Sequence, residues 1–218
     1  MSTVAARRRM GVGATLRLSD FERLVGELAC WRANDDLKII QAAKGSAVVL
    51  PFVKGLRLSA QLIYVLREEL SHTDLEVDWG HLLDAEEQSC SPECDIIIHH
   101  EGHVRKWNGN EHPIMDFRFV PHTNAVAVVS CKSYAKDVDA DYATRVRPYV
   151  SHLFLFAECC APNQVANLQR KAKAAGYVGF WYLYTYDEST GECRKDPRSW
   201  QGFLNAVGTK VGKAVRRR

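Results

Sequence analysis

Apolar residues recur along this chain with two different periods, and the change from one to the other divides it. Over residues 19–43 Phe21, Leu24, Val25, Leu28 and Trp31 repeat at helical spacing. Ser19 is placed to cap this helix, Glu22 follows three residues on as in a capping box, and Gly45 ends it. A second helix is predicted over 57–70, where Leu58, Leu62, Val65 and Leu66 form an apolar stripe beside a charged edge that closes with Glu68 and Glu69. The period then becomes strand-like through LEVDWGHLLD, CDIIIHH, HVRKW, MDFRFV and NAVAVVSCK, separated by turn-rich stretches such as WNGNEHP and VPHTN. The third and fourth of these strands read as a hairpin arm inserted between the second and the fifth.

Beyond Lys132 the spacing predicts a helix through about residue 148, the buried strand HLFLFAECC, a helix from Asn163 to Ala175 stopped by Gly176, and the strand GYVGFWYLYTY. Helices that alternate with apolar strands after a meander indicate an α/β sandwich around a mixed central sheet. With 218 residues, 46% of them hydrophobic, the chain builds one sizeable core. The expected organisation is a basic tail and helical extension over 1–56, an α/β core over 57–190, and a helix with a second basic tail over 191–218, together one structural domain.

Two polar residues stand out in the strands. Asp95 opens the apolar run of SPECDIIIHH, and Lys132 closes that of NAVAVVSCKSY. Side chains alternate along a strand, so a regular strand puts Glu93, Asp95, Ile97 and His99 on one face, and another puts Val126, Val128, Ser130 and Lys132 on one face. Pairing the two strands brings Asp95 next to Lys132. Phosphodiester cleavage needs such a pair: a carboxylate to hold a divalent ion beside the phosphate, and a cation to orient water and offset charge on the phosphoryl oxygens.

The stretches SPECD and SCK resemble the PD-(D/E)xK, or restriction endonuclease-like, nuclease superfamily. In it an Asp starts one strand and an acid-x-Lys triplet ends the next. Here Cys94 stands where a Pro usually precedes the Asp, and Ser130 stands where the second acid is expected. A variant group with Ser-x-Lys takes its second acid from the following helix, which makes Asp137, Asp139 and Asp141 candidates, Asp141 foremost by its distance from Lys132; Glu93 is the rival. A Glu from the helix before the sheet often joins the metal ligands, which points to Glu68 or Glu69. The resemblance implies a restriction endonuclease-like sandwich with an N-terminal helical extension. It implies an endonuclease on DNA, with RNA left open, in restriction or phage defence. Its ion would be Mg²⁺ with Mn²⁺ as a substitute, since the ligands are hard oxygens. A homodimer would match duplex symmetry.

Charge fits a polyanionic partner. The net charge is +3 and the pI about 8.4, with Arg7, Arg8 and Arg9 at one end and Lys210, Lys213, Arg216, Arg217 and Arg218 at the other. Solvated, frayed termini are the plainer account of the same residues. Seven cysteines, with Cys159 and Cys160 adjacent in an apolar stretch, form no disulfide framework and suit a reducing cytoplasm. No apolar run spans a membrane. Three other readings remain: a nuclease fold that binds without cutting, because Ser130 replaces an acid; a zinc module on Cys90, Cys94, His99, His100 and His103; and Cys131 as a nucleophile. The aromatics of GFWYLYTY read as strand core, and Trp107 and Trp200 as groups able to stack on bases.

Overall fold

The structure, a computed structural model, describes residues 18–33, 46–86, 88–102, 105–106 and 117–215. The Gly45 stop, the two arginine clusters, His103, Trp107 and the turn of the expected hairpin arm lie outside the described residues.

Eight strands form one sheet in the order β3-β4-β1-β2-β5-β6-β7-β8. They are β1 (Leu75–Leu83), β2 (Cys94–His100), β3 (Arg105–Lys106), β4 (Phe117–Pro121), β5 (Ala125–Ala135), β6 (Leu153–Cys160), β7 (Phe180–Tyr186) and β8 (Cys193–Lys195). The helices are α1 (Leu18–Ala33), α2 (Ser46–Leu70), α3 (Ala140–Val146), α4 (Val165–Ala174) and α5 (Pro197–Val215). The sheet is mixed: β5, β6 and β7 run parallel, while β2 pairs antiparallel with both β1 and β5.

Parallel neighbours need crossover connections, and right-handed crossovers that advance in one direction set their helices on one face. Accordingly α3 and α4 cover the face where Ala143, Val146, Leu168 and Ala172 pack on Ile97, Val128, Leu155 and Ala157. The other face is covered by α1, α2 and α5, through Phe21, Leu24, Leu28, Leu58, Leu62, Leu66, Phe203 and Val207 on Ile96, Ile98, Val129 and Phe156. With both faces covered, all eight residues of β6 are buried, which explains its continuous apolar run. Phe203 packs within 4.6 Å of the Phe156 ring and near Phe154, Trp181 and Trp200, so the aromatic strand and Trp200 are core. Truncating Phe203 to alanine would cost about 3–5 kcal/mol.

Three elements differ from the pattern of the sequence. Helix α2 begins at Ser46 rather than 57, running through the poor helix formers Pro51 and Gly55. Strands β3 and β4 pair antiparallel as the expected hairpin, but they do not lie between β2 and β5: β4 pairs parallel with β1 and carries β3 at the sheet edge. Strand β8 adds a short edge against β7, too exposed to show a hydrophobic signal. The Gly176 stop holds, at φ 91°. Helix α5 starts at Pro197 after Asp196, whose Oδ1 accepts the N–H groups of Arg198 and Ser199.

Candidate active site

Asp95 sits at a break in the β1–β2 ladder. Asp78 pairs with Ile97 but Gly80 pairs with Cys94, so two residues of β1 span three of β2 and the extra one falls at Asp95–Ile96. Such a bulge re-aims side chains and twists the strand. It also corrects the regular alternation expected here: Cys94 packs with the α3 face, Ile96 with the α2 face, and Asp95 lies between. Gly80 makes the kink feasible. Its φ is 154°, and a Cβ there would stand 1.8 Å from the Arg118 carbonyl oxygen.

One oxygen of Asp95, Oδ2, accepts the backbone N–H of Cys131 at 2.8 Å. The β2–β5 register, Ile96 against Val129 and Ile97 against Val128, brings Asp95 level with Ser130, two residues before Lys132. The carboxyl is largely buried, and burial pushes its pKa up to about 6 against the pull of the Cys131 N–H and the Lys132 ammonium. The Glu93 carboxylate adds to the rise. Asp95 is therefore a carboxyl short of positive charge, with Oδ2 fixed and Oδ1 without a hydrogen bond among the described residues.

The remaining candidates separate by position. Glu93 precedes β2 rather than lying in it, is exposed, and accepts the Trp79 indole N–H at 2.8 Å while acting on Asp95. Ser130 is buried and interacts with the Tyr177 phenol, whose hydroxyl donates to the Asp139 carbonyl at 3.1 Å. Asp139 is the N-cap of α3, its Oδ1 accepting the Tyr142 N–H, and Asp137 pairs with Lys171 at 2.8 Å. Asp141 stands exposed in the first turn of α3, where an acid favours the helix terminus. Glu68 and Glu69 end α2, the turn whose Arg67 reaches to Val77 and Asp78. Of these acids, Glu93 alone is among the groups that set the Asp95 pKa. Cys131 is buried on the α2 side, and burial with the nearby Asp95 charge drives its thiol far above the range of a nucleophile.

A second cluster escaped the sequence because its members come from four elements. Asp78 is buried, and its Oδ1 accepts Arg67 Nη2 at 2.7 Å while Oδ2 lies 3.0 Å from His99 Nε2 and 3.7 Å from Arg118 Nε. Burial alone would raise its pKa, but the His99 hydrogen bond and the charges of His99, Arg118 and Arg67 hold it below the ordinary carboxylate value. Glu76, Asp78 and His99 are close enough to share a cation, yet two guanidinium groups already serve Asp78, so the cluster is an ion-pair network. His99 is thereby engaged, His100 faces Asp74 at 3.1 Å, and Cys94 lies near Ser91 at the opposite end of β2; the cysteines and histidines of the zinc reading are not gathered among the described residues. The six described cysteines form no disulfide.

The architecture is a mixed α/β sandwich, a central mixed sheet flanked by helices, as the sequence implied. No family model matches the chain, and no curated protein matches it in sequence. In structure it is similar to NucC of P. aeruginosa ATCC27853 in its cAAA-bound form, with TM-score 0.53 and 13% identity over 91% of this chain and 92% of that one. It is also similar to NucC of E. coli MS115-1, with TM-score 0.56, 12% identity and 91% of each chain for the cAAA-bound form. For the apo form the values are TM-score 0.50, 11% identity, 87% of this chain and 90% of that one. At these identities the likeness is one of fold. No helix among the described residues is long and apolar enough to cross a membrane.

Proposed function

We propose that this protein is a metal-dependent endonuclease that hydrolyses phosphodiester bonds in DNA, acting in restriction or phage defence. The observation that carries the reading is Asp95: a partly buried carboxyl at a strand bulge, anchored by one backbone N–H, raised in pKa, and within electrostatic reach of Lys132. Perturbed, under-compensated carboxyls mark functional sites more often than structural ones. The fold shared with NucC is the type that the nuclease resemblance implied.

The donor set fits a hard divalent ion, Mg²⁺ or Mn²⁺. Asp95 would hold it through its second oxygen, with Glu93, the carboxylate whose charge acts on Asp95, as a further ligand and phosphate and water filling the remaining positions. Such an ion polarises the phosphoryl oxygens and lowers the pKa of a bound water. Asp95 binds only when deprotonated, so binding strengthens as pH rises through about 6. Lys132 orients the attacking water and offsets charge on the phosphate, while Ser130, buried beside Tyr177, supports the strand that carries them both. A two-fold dimer would address both strands of a duplex, and a cytoplasmic setting suits the free thiols.

The second reading, a nuclease fold that binds nucleic acid without cutting it, draws on Ser130 in the acid position and on Glu93 as the lone companion acid. Cleavage of supercoiled plasmid, linear DNA and RNA separates the two. The assay runs in Mg²⁺, Mn²⁺ or EDTA, with and without cAAA, using wild type, Asp95→Ala and Lys132→Ala. Metal-dependent cutting lost in both variants is the expected result; a wild type that binds DNA and never cuts supports the second reading.

A further inference from the structure

The bulge that aims Asp95 also sets a tryptophan opposite it. Between the Asp78–Ile97 and Gly80–Cys94 pairs, β1 supplies one residue, Trp79, and β2 supplies two, Asp95 and Ile96. From that position the Trp79 indole N–H donates to Glu93 Oε1 at 2.8 Å. Glu93 stands two residues before Asp95, so one tryptophan faces the first acid across the strands and holds the second.

The bond does little for folding. Trp79 is half-buried and Glu93 exposed, so water would serve both groups if they parted. Its effect falls on the carboxylate. An exposed glutamate samples many rotamers and must give them up to hold an ion, and the indole N–H removes that freedom beforehand. An indole is also a donor without charge. Arg67 and Arg118 take up the charge of Asp78, whereas Trp79 fixes one oxygen of Glu93 and leaves Oε2 and the full negative charge to a cation. The Cys131 N–H treats Asp95 in the same way, as a neutral donor on one oxygen. We propose that Trp79 is a positioning residue: its indole N–H holds Glu93 beside Asp95 so that the two carboxylates bind a divalent cation together, each through its untied oxygen. The inference rests on the nuclease reading and goes one step beyond it, from the ion's ligands to the group that orients one of them.

The test is calorimetric titration of Mn²⁺ into the metal-free protein, without DNA, for wild type, Asp95→Ala, Glu93→Gln, Trp79→Phe and the Glu93→Gln, Trp79→Phe double variant. Phenylalanine keeps an aromatic ring and deletes the N–H. Trp79→Phe is expected to weaken Mn²⁺ binding about tenfold, and to weaken it no further once Glu93→Gln is in place. Mn²⁺ binding by Trp79→Phe that equals the wild type overturns the inference. An equal loss with and without Glu93→Gln also overturns it, because the ring then acts on the fold and not through Glu93. Either of these results, with binding lost in Asp95→Ala, leaves the nuclease reading standing. A wild type that binds no Mn²⁺, or an Asp95→Ala variant that binds it unimpaired, sinks that reading and this inference with it.

Discussion

Asp78, which is buried, and Asp95, which is partly buried, are carboxyls on neighbouring strands, and their surroundings drive them in opposite directions. Asp78 collects His99, Arg67 and Arg118, and its pKa falls. Asp95 receives one backbone N–H and one lysine charge, and its pKa rises to about 6. The same cost of leaving water is met in one place by partners within the protein and in the other is left largely uncompensated. Folding explains the first arrangement. The second makes sense when a ligand completes it, which is why the acid with fewer partners, rather than the better-connected one, is the candidate catalytic group.

Removing each acid should therefore have opposite effects on the free protein. Asp78→Ala leaves Arg67, Arg118 and His99 facing one another around a buried gap, and unfolding measurements should show a loss of about 4 kcal/mol. Asp95→Asn keeps an acceptor for the Cys131 N–H and deletes the buried charge. The rise from 3.8 to about 6 corresponds to at most about 3 kcal/mol, so this variant should be the more stable one at pH 8 while failing to cut.

The pH dependence separates the two acids further. A raised native pKa means that the folded state binds more protons than the unfolded one between about 4 and 6, so the Asp95 contribution is most favourable below pH 4 and is lost as pH rises through 6. The Tm gap between Asp95→Asn and wild type should thus be near zero at pH 4 and widen to a plateau above pH 6.5. Asp78 has the reverse sign: its depressed pKa contributes stability above about pH 4 that is lost as the solution becomes more acidic. A gap that stays flat from pH 4 to 8 would contradict the account of Asp95.

Gly80 links the two regions, since it faces Cys94 across the bulge and follows Asp78 by two residues. Gly80→Ala drives a Cβ into the Arg118 backbone and should cost about 2 kcal/mol by denaturant titration, with a larger proportional loss of activity than its stability alone explains. The smallest effect is expected at Asp141. As an exposed residue on α3, its change to alanine should alter stability by less than about 0.5 kcal/mol and leave metal-dependent cutting near the wild-type rate.

The sequence revealed what depends on period and order. Alternating helices and apolar strands gave the sandwich, whereas Lys132, read as closing its strand, lies within β5, which runs on to Ala135. Features that depend on how strands pair were hidden. The bulge at Asp95–Ile96 is invisible until β1 is laid against β2, and it is what removes Glu93 from the face expected for it. The Asp78 network draws on residues from 67 to 118, so no local spacing signals it. Tyr142 lies one residue past the favoured Asp141, and only the Asp139 cap and the packing of α3 decide which of the two turns inward. Chemistry alone favoured the acid.

The most direct test of the central claim is plasmid cleavage by wild type and Asp95→Asn in Mg²⁺ at pH 8, with the Tm of both free proteins measured on the same preparations. The account requires that Asp95→Asn lose cutting while its Tm rises by several degrees. An Asp95→Asn protein that cuts like wild type, or that loses activity only because it is less stable, would contradict it.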